Sequence, residues 1–276
     1  MKLLASLLVG ALFFFQTNVC CGQDSSIIGP QNMALGQIRS LDHSNWAVLT
    51  NVANLAFQKK ISAGISYQRK FELAALSSRI ATVNFPNKYG VLTGLVLQSG
   101  PDESLVSRYG LGYSRSFGRK VSAGIQFNYL AHQIVGAELA DAFYASVGII
   151  IQPSPSIHLA AFVQNPEQAT IRHYETDYYL PSLFCIGIQW SADPHVLILA
   201  ELEKELEYPP LYKSGIQFNF KDHVFVRTGI STKPVNFSFG GGFHYKSGVV
   251  DVGFVQHAIL GLTSSFGLSF FIGSSK

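Results

Sequence analysis

The feature that most constrains this chain is an alternation of apolar residues with small or polar residues at a period of two. It recurs from residue 59 to the C-terminus. In one segment the apolar set is Val121, Ala123, Ile125, Phe127 and Tyr129, and the opposite set is Ser122, Gly124, Gln126 and Asn128. Because successive side chains of a β-strand point to opposite faces, each such segment predicts a strand with one apolar face and one face of small or polar residues.

The pattern predicts about fourteen strands. They cover residues 59–69, 77–86, 89–99, 107–117, 120–132, 142–152, 157–165, 182–191, 195–206, 211–221, 223–232, 236–246, 248–258 and 263–273. Segments of about ten residues suit tilted strands that cross a membrane, and an even number suits a closed antiparallel barrel with both termini on one side.

The links between these strands alternate between short, turn-rich connections and longer polar loops. Examples are the short link 118–119 and the long link 166–181. Outer-membrane barrels combine short periplasmic turns with long external loops. The order predicts that both termini lie in the periplasm of a Gram-negative bacterium and that the barrel contacts outer-membrane lipid.

The composition excludes several classes of protein. Of 276 residues, 47% are hydrophobic and only 13% are charged, against about 25% in an ordinary soluble domain. These values exclude disorder, and no apolar run beyond position 19 is long enough for a membrane helix. A net charge of +3, scattered along the chain, argues against a nucleic-acid partner.

A soluble, lipocalin-like barrel is the competing fold. Its apolar face would point inward, and about eight strands would enclose one small ligand. Fourteen strands would leave an interior too wide for apolar side chains to fill. With the faces reversed, the apolar side meets lipid and the polar side lines the lumen, so we predict an all-β, transmembrane antiparallel barrel.

Residues 1–22 are predicted to be a secretory signal peptide, with Lys2 followed by an apolar stretch and a more polar exit. A retained helical anchor and a lipoprotein modified at Cys20 or Cys21 are the alternatives. If both cysteines are removed with the signal, Cys185 remains alone and no internal disulfide forms.

Residues 23–58 precede the barrel, which spans 59–276, and from residue 27 they break the strand rhythm. This segment could extend into the periplasm or fold into the lumen as a hatch. The hatch alternative explains why so many lumen-facing residues are small, because another backbone must approach the wall closely.

One stretch of this segment carries a family resemblance. It contains Trp46 and the motif residues Asn51, Ala53, Asn54 and Leu55. The stretch resembles the N-terminal signature of the FadL-like outer-membrane barrels, in particular the PorV/PorQ branch associated with type IX secretion. Val52 and Asn54 stand where the family motif has Pro and Gly. The resemblance implies a fourteen-stranded barrel with a hatch in its lumen.

A cluster of charges is predicted on the lumen face of strands 195–206, 211–221 and 223–232. Its members are Glu201, Glu203, Glu205, Lys213 and Arg227. We expect Lys213 to lie near Glu205 or Glu207, and Arg227 to lie near the level of Glu201. The cluster could form a charged constriction, grip the hatch, or simply be an ion-paired, solvated wall.

The longest loop, 166–181, contains Tyr174, Tyr178 and Tyr179. It could bind another protein, because aromatic residues dominate interface energetics, or it could close the barrel mouth. The eight histidines do not show the spacing of a metal site, and no motif indicates a cofactor.

These observations predict a non-enzymatic protein. The resemblance implies a hatch-sealed scaffold for protein secretion or outer-membrane assembly, with other secretion or outer-membrane proteins as partners. The alternative is a FadL-type passive channel for hydrophobic or amphipathic small molecules. A membrane-embedded hydrolase is a third hypothesis, for which the sequence offers no positive sign.

Overall fold

Fourteen strands close into a single antiparallel barrel in the computed structural model, which describes residues 27–173, 176–220 and 223–273. The predicted signal peptide, with Cys20 and Cys21, lies outside the described residues. The barrel strands are β1 Ile61–Arg69, β2 Ser77–Asn87, β3 Gly90–Ser99, β4 Ser104–Phe117, β5 Val121–Ile134, β6 Ala140–Ser154, β7 Ile157–Gln164, β10 Leu183–Asp193, β11 Val196–Glu205, β12 Leu211–Phe220, β13 Val224–Ser231, β14 Asn236–Tyr245, β15 Gly248–His257 and β16 Gly261–Ile272.

Each strand pairs with its neighbours in chain order, and β1 closes the barrel against β16 from Ile61↔Ile272 to Arg69↔Ser264. The predicted all-β barrel of fourteen strands is therefore confirmed. Among the described residues, no helix is both long and apolar enough to cross a lipid bilayer.

The two faces of the wall differ as the alternation predicts. Outward side chains such as Leu111, Phe143 and Ile186 are 74%, 71% and 66% exposed, whereas inward Ser114 and Ser122 are fully buried. A continuous apolar outer surface is what a transmembrane barrel presents to lipid.

The two ends of the barrel also differ. One end carries tight links between the strands, such as that between β4 and β5, and we call it the short-turn end; β1 begins there and β16 ends there. The other, the long-loop end, includes a hairpin that the alternation did not predict, formed by β8 Thr170–His173 and β9 Thr176–Tyr179. Strands β4, β5 and β6 extend two or three residues beyond their predicted long-loop ends, because they continue to pair there.

The polypeptide from Ile27 to Phe57 lies inside the barrel, and we call it the hatch. It contains one α-helical turn, Pro30–Ala34, and two 3₁₀ helices, Asn45–Leu49 and Val52–Phe57. Most of its residues are buried, including most of the polar ones. The hatch therefore replaces water as the filling of a lumen whose wall is polar.

Nine wall glycines allow the hatch to lie directly on the strands, and we call them the glycine belt. A Cβ atom at any of them would come within 3.0 Å of a hatch atom; they are Gly64, Gly124, Gly148, Gly187, Gly215, Gly229, Gly240, Gly253 and Gly267. At Gly215 that Cβ would lie 2.7 Å from the Leu35 carbonyl oxygen, and at Gly124 it would lie 2.8 Å from the Ala53 nitrogen. Backbone atoms cannot move aside as a flexible side chain can, so these positions require glycine.

We predict that Gly124→Ala and Gly215→Ala displace the hatch, at a cost of about 1–3 kcal/mol each, because the added methyl group overlaps backbone. Hydrogen–deuterium exchange of peptides from residues 27–58 should accelerate. Gly248→Ala is the control, since the nearest atom to its Cβ would lie 3.6 Å away. Unchanged exchange in the first two variants would contradict the close-approach argument.

Candidate functional site

The hatch is held to the wall by a buried group of four charges, which we call the charge lock: Arg39, Glu201, Glu203 and Lys213. Glu201 and Glu203 lie on β11, and Lys213 lies directly opposite Glu201 on β12. Lys213 Nζ is 2.6 Å from Glu203 Oε2 and 3.4 Å from Glu201 Oε1, and Arg39 Nε is 2.9 Å from Glu203 Oε2. Two positive and two negative charges therefore balance within the lumen.

Glu201 also binds the hatch backbone. Its Oε2 accepts hydrogen bonds from the Arg39 nitrogen at 2.9 Å, the Ser40 nitrogen at 2.6 Å and Ser40 Oγ at 2.6 Å. Lys213 Nζ donates to the Gln37 carbonyl at 2.8 Å. An unpaired buried charge is costly in free energy. The wall carboxylates therefore need the donors of the hatch, and the hatch donors need the carboxylates as acceptors.

The sequence placed part of this group correctly. We expected Lys213 to lie near Glu205 or Glu207. Instead, the β11–β12 register sets Lys213 opposite Glu201. Glu205 is half-buried and has no ion pair among the described residues. Arg39 was missed, since nothing in the irregular hatch sequence indicates which wall residue it meets.

Arg227 is in register with Gln217 and, through it, with Leu197 rather than Glu201, which corrects our expectation that it lies near the level of Glu201. Its Nη1 is 2.6 Å from Asp251 Oδ1 on β15, and its Nε donates to Gln217 Oε1 at 2.7 Å. Nη2 reaches Gln31 Oε1 of the hatch at 3.3 Å. Asp251 was not singled out, although it is an inward, polar position on a strand whose outward residues are apolar.

The predicted motif residues hold two parts of the hatch together. Asn51 Nδ2 and Asn54 Nδ2 both donate to the Ser40 carbonyl, at 2.8 and 3.0 Å. The Ala53 carbonyl accepts from Ser122 Oγ of β5 at 2.9 Å. Trp46 and Leu55 are buried in an apolar cluster with β2 and β3 side chains.

The described residues include one group with metal-ligand chemistry, Cys185, Glu201 and Glu203. The Lys213 ammonium already lies against both carboxylates and supplies the positive charge that they require. The two carboxylates therefore already have their role in the charge lock.

A cavity of about 310 Å³ lies at the long-loop end, above the hatch. Its apolar lining includes Val106, Leu130 and Leu180, and its polar lining includes Arg108 and Tyr144. Ile171 and Leu180, at the two ends of the β8–β9 hairpin, pack into the same apolar cluster as Leu130.

The hairpin thus forms one side of this mouth cavity, and Tyr179 remains 66% exposed to solvent. Tyr174 lies outside the described residues, and only the backbone of Tyr178 is described.

Arg108 at this cavity is a buried guanidinium, 4% exposed, with no carboxylate partner among the described residues. Nη2 donates to the hatch carbonyl of Leu49 at 3.2 Å, Nη1 lies 3.5 Å from the Tyr144 hydroxyl, and Nε has no hydrogen-bond partner. A buried, unpaired positive charge beside apolar surface is the arrangement expected of a site for an acidic, amphipathic ligand. No motif indicated this site in advance; its one signal is an arginine at an inward position of β4.

Solved structures share this architecture. The chain resembles the toluene transporter TodX of P. putida with a TM-score of 0.67 at 10% identity, covering 91% of this chain and 100% of TodX. A Pseudomonas aeruginosa FadL homologue aligns with a TM-score of 0.55 at 11% identity, covering 88% and 97%. The Acinetobacter baumannii outer membrane protein Omp33 aligns at 0.51 and 10%, covering 77% and 98%.

The fold is therefore that of the FadL and TodX barrels. No protein-family model and no curated protein sequence matches the chain.

We predict that Glu201→Gln releases the hatch, because Arg39 and Lys213 then share a single carboxylate and the backbone donors of Arg39 and Ser40 lose a charged acceptor. Breaking a buried ion pair from one side costs about 3–5 kcal/mol. Hydrogen exchange of the hatch should accelerate strongly. Glu205→Gln on the same strand is the control and should leave exchange unchanged; equal effects of the two variants would contradict the charge lock.

Asp42, which is 2% exposed, makes hatch stability depend on pH. Burial raises its pKa from 3.8 to about 6, against the lowering effect of hydrogen bonds from Ser44. Between these values the closed state holds a proton that the released state does not. The Asp42 contribution is therefore greatest below about pH 4, falls by about 3 kcal/mol as pH rises to 6, and is constant above.

We expect Asp42→Asn to remove this pH-dependent component. The measurement is the free energy of hatch opening from hydrogen exchange, corrected for intrinsic rates, at pH 4.5 and 7 in both proteins. The same pH dependence in Asp42→Asn would assign the effect to another group.

Proposed function

We propose that this protein is a Gram-negative outer-membrane channel of the FadL type that admits small hydrophobic or amphipathic molecules, and that the hatch is its gate. The observation that carries the proposal is the mouth cavity, which is mainly apolar, opens at the long-loop end and has in its lining an arginine with no carboxylate partner among the described residues. The shared fold of a toluene transporter and a FadL homologue supports it.

Arg108 defines the ligand further. Its guanidinium would bind a carboxylate, and the adjoining apolar side chains would cover a short hydrocarbon chain or ring. An acidic ligand would also neutralise the buried charge. We therefore propose small amphipathic carboxylic acids as the preferred ligands.

The route past the hatch follows β4 and β5 in this proposal. Apolar clusters seal the hatch against β2–β3 and against β6, β7 and β11. Between them, Thr50 Oγ1 of the hatch and Gln126 Nε2 and Ser114 Oγ of the wall are buried without partners among the described residues. Because these polar atoms form no hydrogen bond among the described residues, a shift of the hatch in this sector breaks none at them.

We further propose how the chain is exported and how the barrel is oriented in the membrane. Residues 1–22 would be removed as a signal peptide, residues 23–58 would form the gate, and both termini would lie in the periplasm. The mouth cavity would then face the cell exterior. No enzymatic step and no cofactor enter this function.

The decisive test compares ligands that differ only in charge. We predict that Arg108→Gln weakens octanoate binding about tenfold or more, because a hydrogen-bonded charge pair contributes about 1.5–3 kcal/mol. Binding of 1-octanol should change little. Arg119→Gln, in the short turn after β4, is the control. Isothermal titration would measure affinity, and uptake of labelled octanoate by proteoliposomes would measure transport; equal effects on acid and alcohol would contradict the assignment.

A scaffold of the PorV/PorQ type remains the second candidate function. It is favoured by the continuous pairing of all fourteen strands, which leaves no gap in the wall, and by exposed aliphatic residues at the long-loop end such as Val135, Leu139 and Ile259. On this hypothesis Tyr179 would join a surface that docks other secretion or outer-membrane proteins. Proteoliposomes without uptake or conductance, together with co-purifying partners from the native membrane, would favour it over the channel.

A further inference from the structure

Two arginines point outward into the region where the barrel meets lipid. Arg69 ends β1, and Arg79 lies near the start of β2, so both are at the long-loop end. Their orientation follows from the alternation, because Gln68 and Ile80 beside them are buried in the lumen. Side chains at these positions therefore leave the barrel on its lipid-facing side.

Arg79 has no interaction that satisfies its charge. It is exposed and makes no hydrogen bond, ion pair or ring contact among the described residues. Arg69 Nε is 3.9 Å from Glu72 Oε2, which is a long contact, and its Nε has no hydrogen-bond partner. Other outward cations are better accommodated: Lys204 donates to the carbonyls of Glu205 and Leu206, and Arg115 lies 6.0 Å from the Phe117 ring.

The strand register brings the two arginines together. Arg79 pairs with Tyr67 and Arg69 pairs with Ser77, which makes the arginines diagonal neighbours on one face. Diagonal neighbours lie about 7–8 Å apart at their Cα atoms, a spacing that two long guanidinium side chains can close around one anion. Gln98, the partner of Arg79 on β3, adds an amide on the same face. We call Arg69, Arg79 and Gln98 the arginine patch.

Immediately below this patch the wall becomes apolar. Ile65, Val96 and Leu268 are outward and 59%, 43% and 39% exposed. Ile65 is the direct partner of Leu268 and lies two residues from Tyr67 along β1, with the inward Ser66 between them. A cationic, hydrogen-bonding patch above an apolar surface is complementary to an anionic lipid headgroup above its acyl chains.

The free-energy cost of a charge on the lipid-facing surface also favours an anionic lipid headgroup at this patch. A charged side chain on the lipid-facing surface costs about 2–4 kcal/mol at the bilayer midplane and about 0–1 kcal/mol near the interface. The arginine patch must therefore lie at headgroup level. Guanidinium groups bind phosphate through paired N–H donors, and they do so more specifically than an ammonium point charge.

We propose that the arginine patch is a binding site for a phosphate-bearing membrane lipid in the leaflet at the long-loop end. The phosphate lies between Arg69 and Arg79, and the acyl chains lie along Ile65, Val96 and Leu268. This site is on the outer surface of the barrel, so it does not depend on whether the lumen transports a ligand.

The test is native mass spectrometry of the full-length protein in detergent with dioleoyl phosphatidic acid. Dioleoylglycerol, which has the same chains and no phosphate, and inorganic phosphate are the comparison ligands. We expect the double variant Arg69→Gln/Arg79→Gln to lose about tenfold in phosphatidic acid occupancy. Arg79→Lys should lose less, and Arg115→Gln at the short-turn end should retain binding. Unchanged heat-modifiable migration on gels would show that every variant is folded.

Three outcomes would overturn the proposal. Equal binding of dioleoylglycerol would show that the acyl chains alone are recognised. Displacement of the lipid by millimolar inorganic phosphate would assign the patch to a free anion. Full occupancy in the double variant would remove the arginines from the site.

Discussion

The close approach of the hatch backbone to the barrel wall is the constraint on which the rest of the structure depends. A barrel of fourteen strands is too wide for its own small side chains to fill, and a filled lumen requires a second stretch of polypeptide. That stretch brings buried peptide groups, each of which needs a partner. The glycine belt allows it to lie near enough for wall side chains to supply them. Ser238 Oγ, for example, accepts from the Gly36 nitrogen at 2.8 Å and donates to the Ala34 carbonyl at 3.1 Å.

The charges in the lumen follow the same logic. Glu201 and Glu203 are tolerated because Lys213 and the hatch residue Arg39 neutralise them, and Asp251 is tolerated because of Arg227. Arg108 departs from this rule, since its partners among the described residues are neutral. A buried cation beside an apolar cavity, with no carboxylate partner among the described residues, offers a place for an anion. On the lipid-facing side of the wall, the outward arginines Arg69 and Arg79 likewise offer a place for an anion.

Sequence reasoning reached the barrel because strand alternation is local. Period two is visible within ten residues, and it also fixed which side of β11 carries Glu201 and Glu203. Register is not local, so the cross-strand partner of Lys213 was misjudged by four to six positions along β11. The hatch has no period at all. Its residues Arg39 and Asp42 acquire their roles only when the chain folds back into the lumen, and the β8–β9 hairpin arises from a loop without a strand-like pattern.

The uneven distribution of hatch contacts bears on how a gate could work. Ion pairs and charged hydrogen bonds join the hatch to β11 and β12, and Gln31 reaches Arg227 on β13. Apolar packing joins it to β2 and β3. Toward β4 and β5 it has Ser122 as a hydrogen-bond donor and the Arg108 contact to Leu49, beside several unpartnered polar atoms. A ligand carboxylate that binds Arg108 would compete with the Leu49 carbonyl for that guanidinium. Ligand arrival at the mouth would therefore weaken a hydrogen bond between the hatch and β4, while the charge lock keeps the hatch attached to β11 and β12.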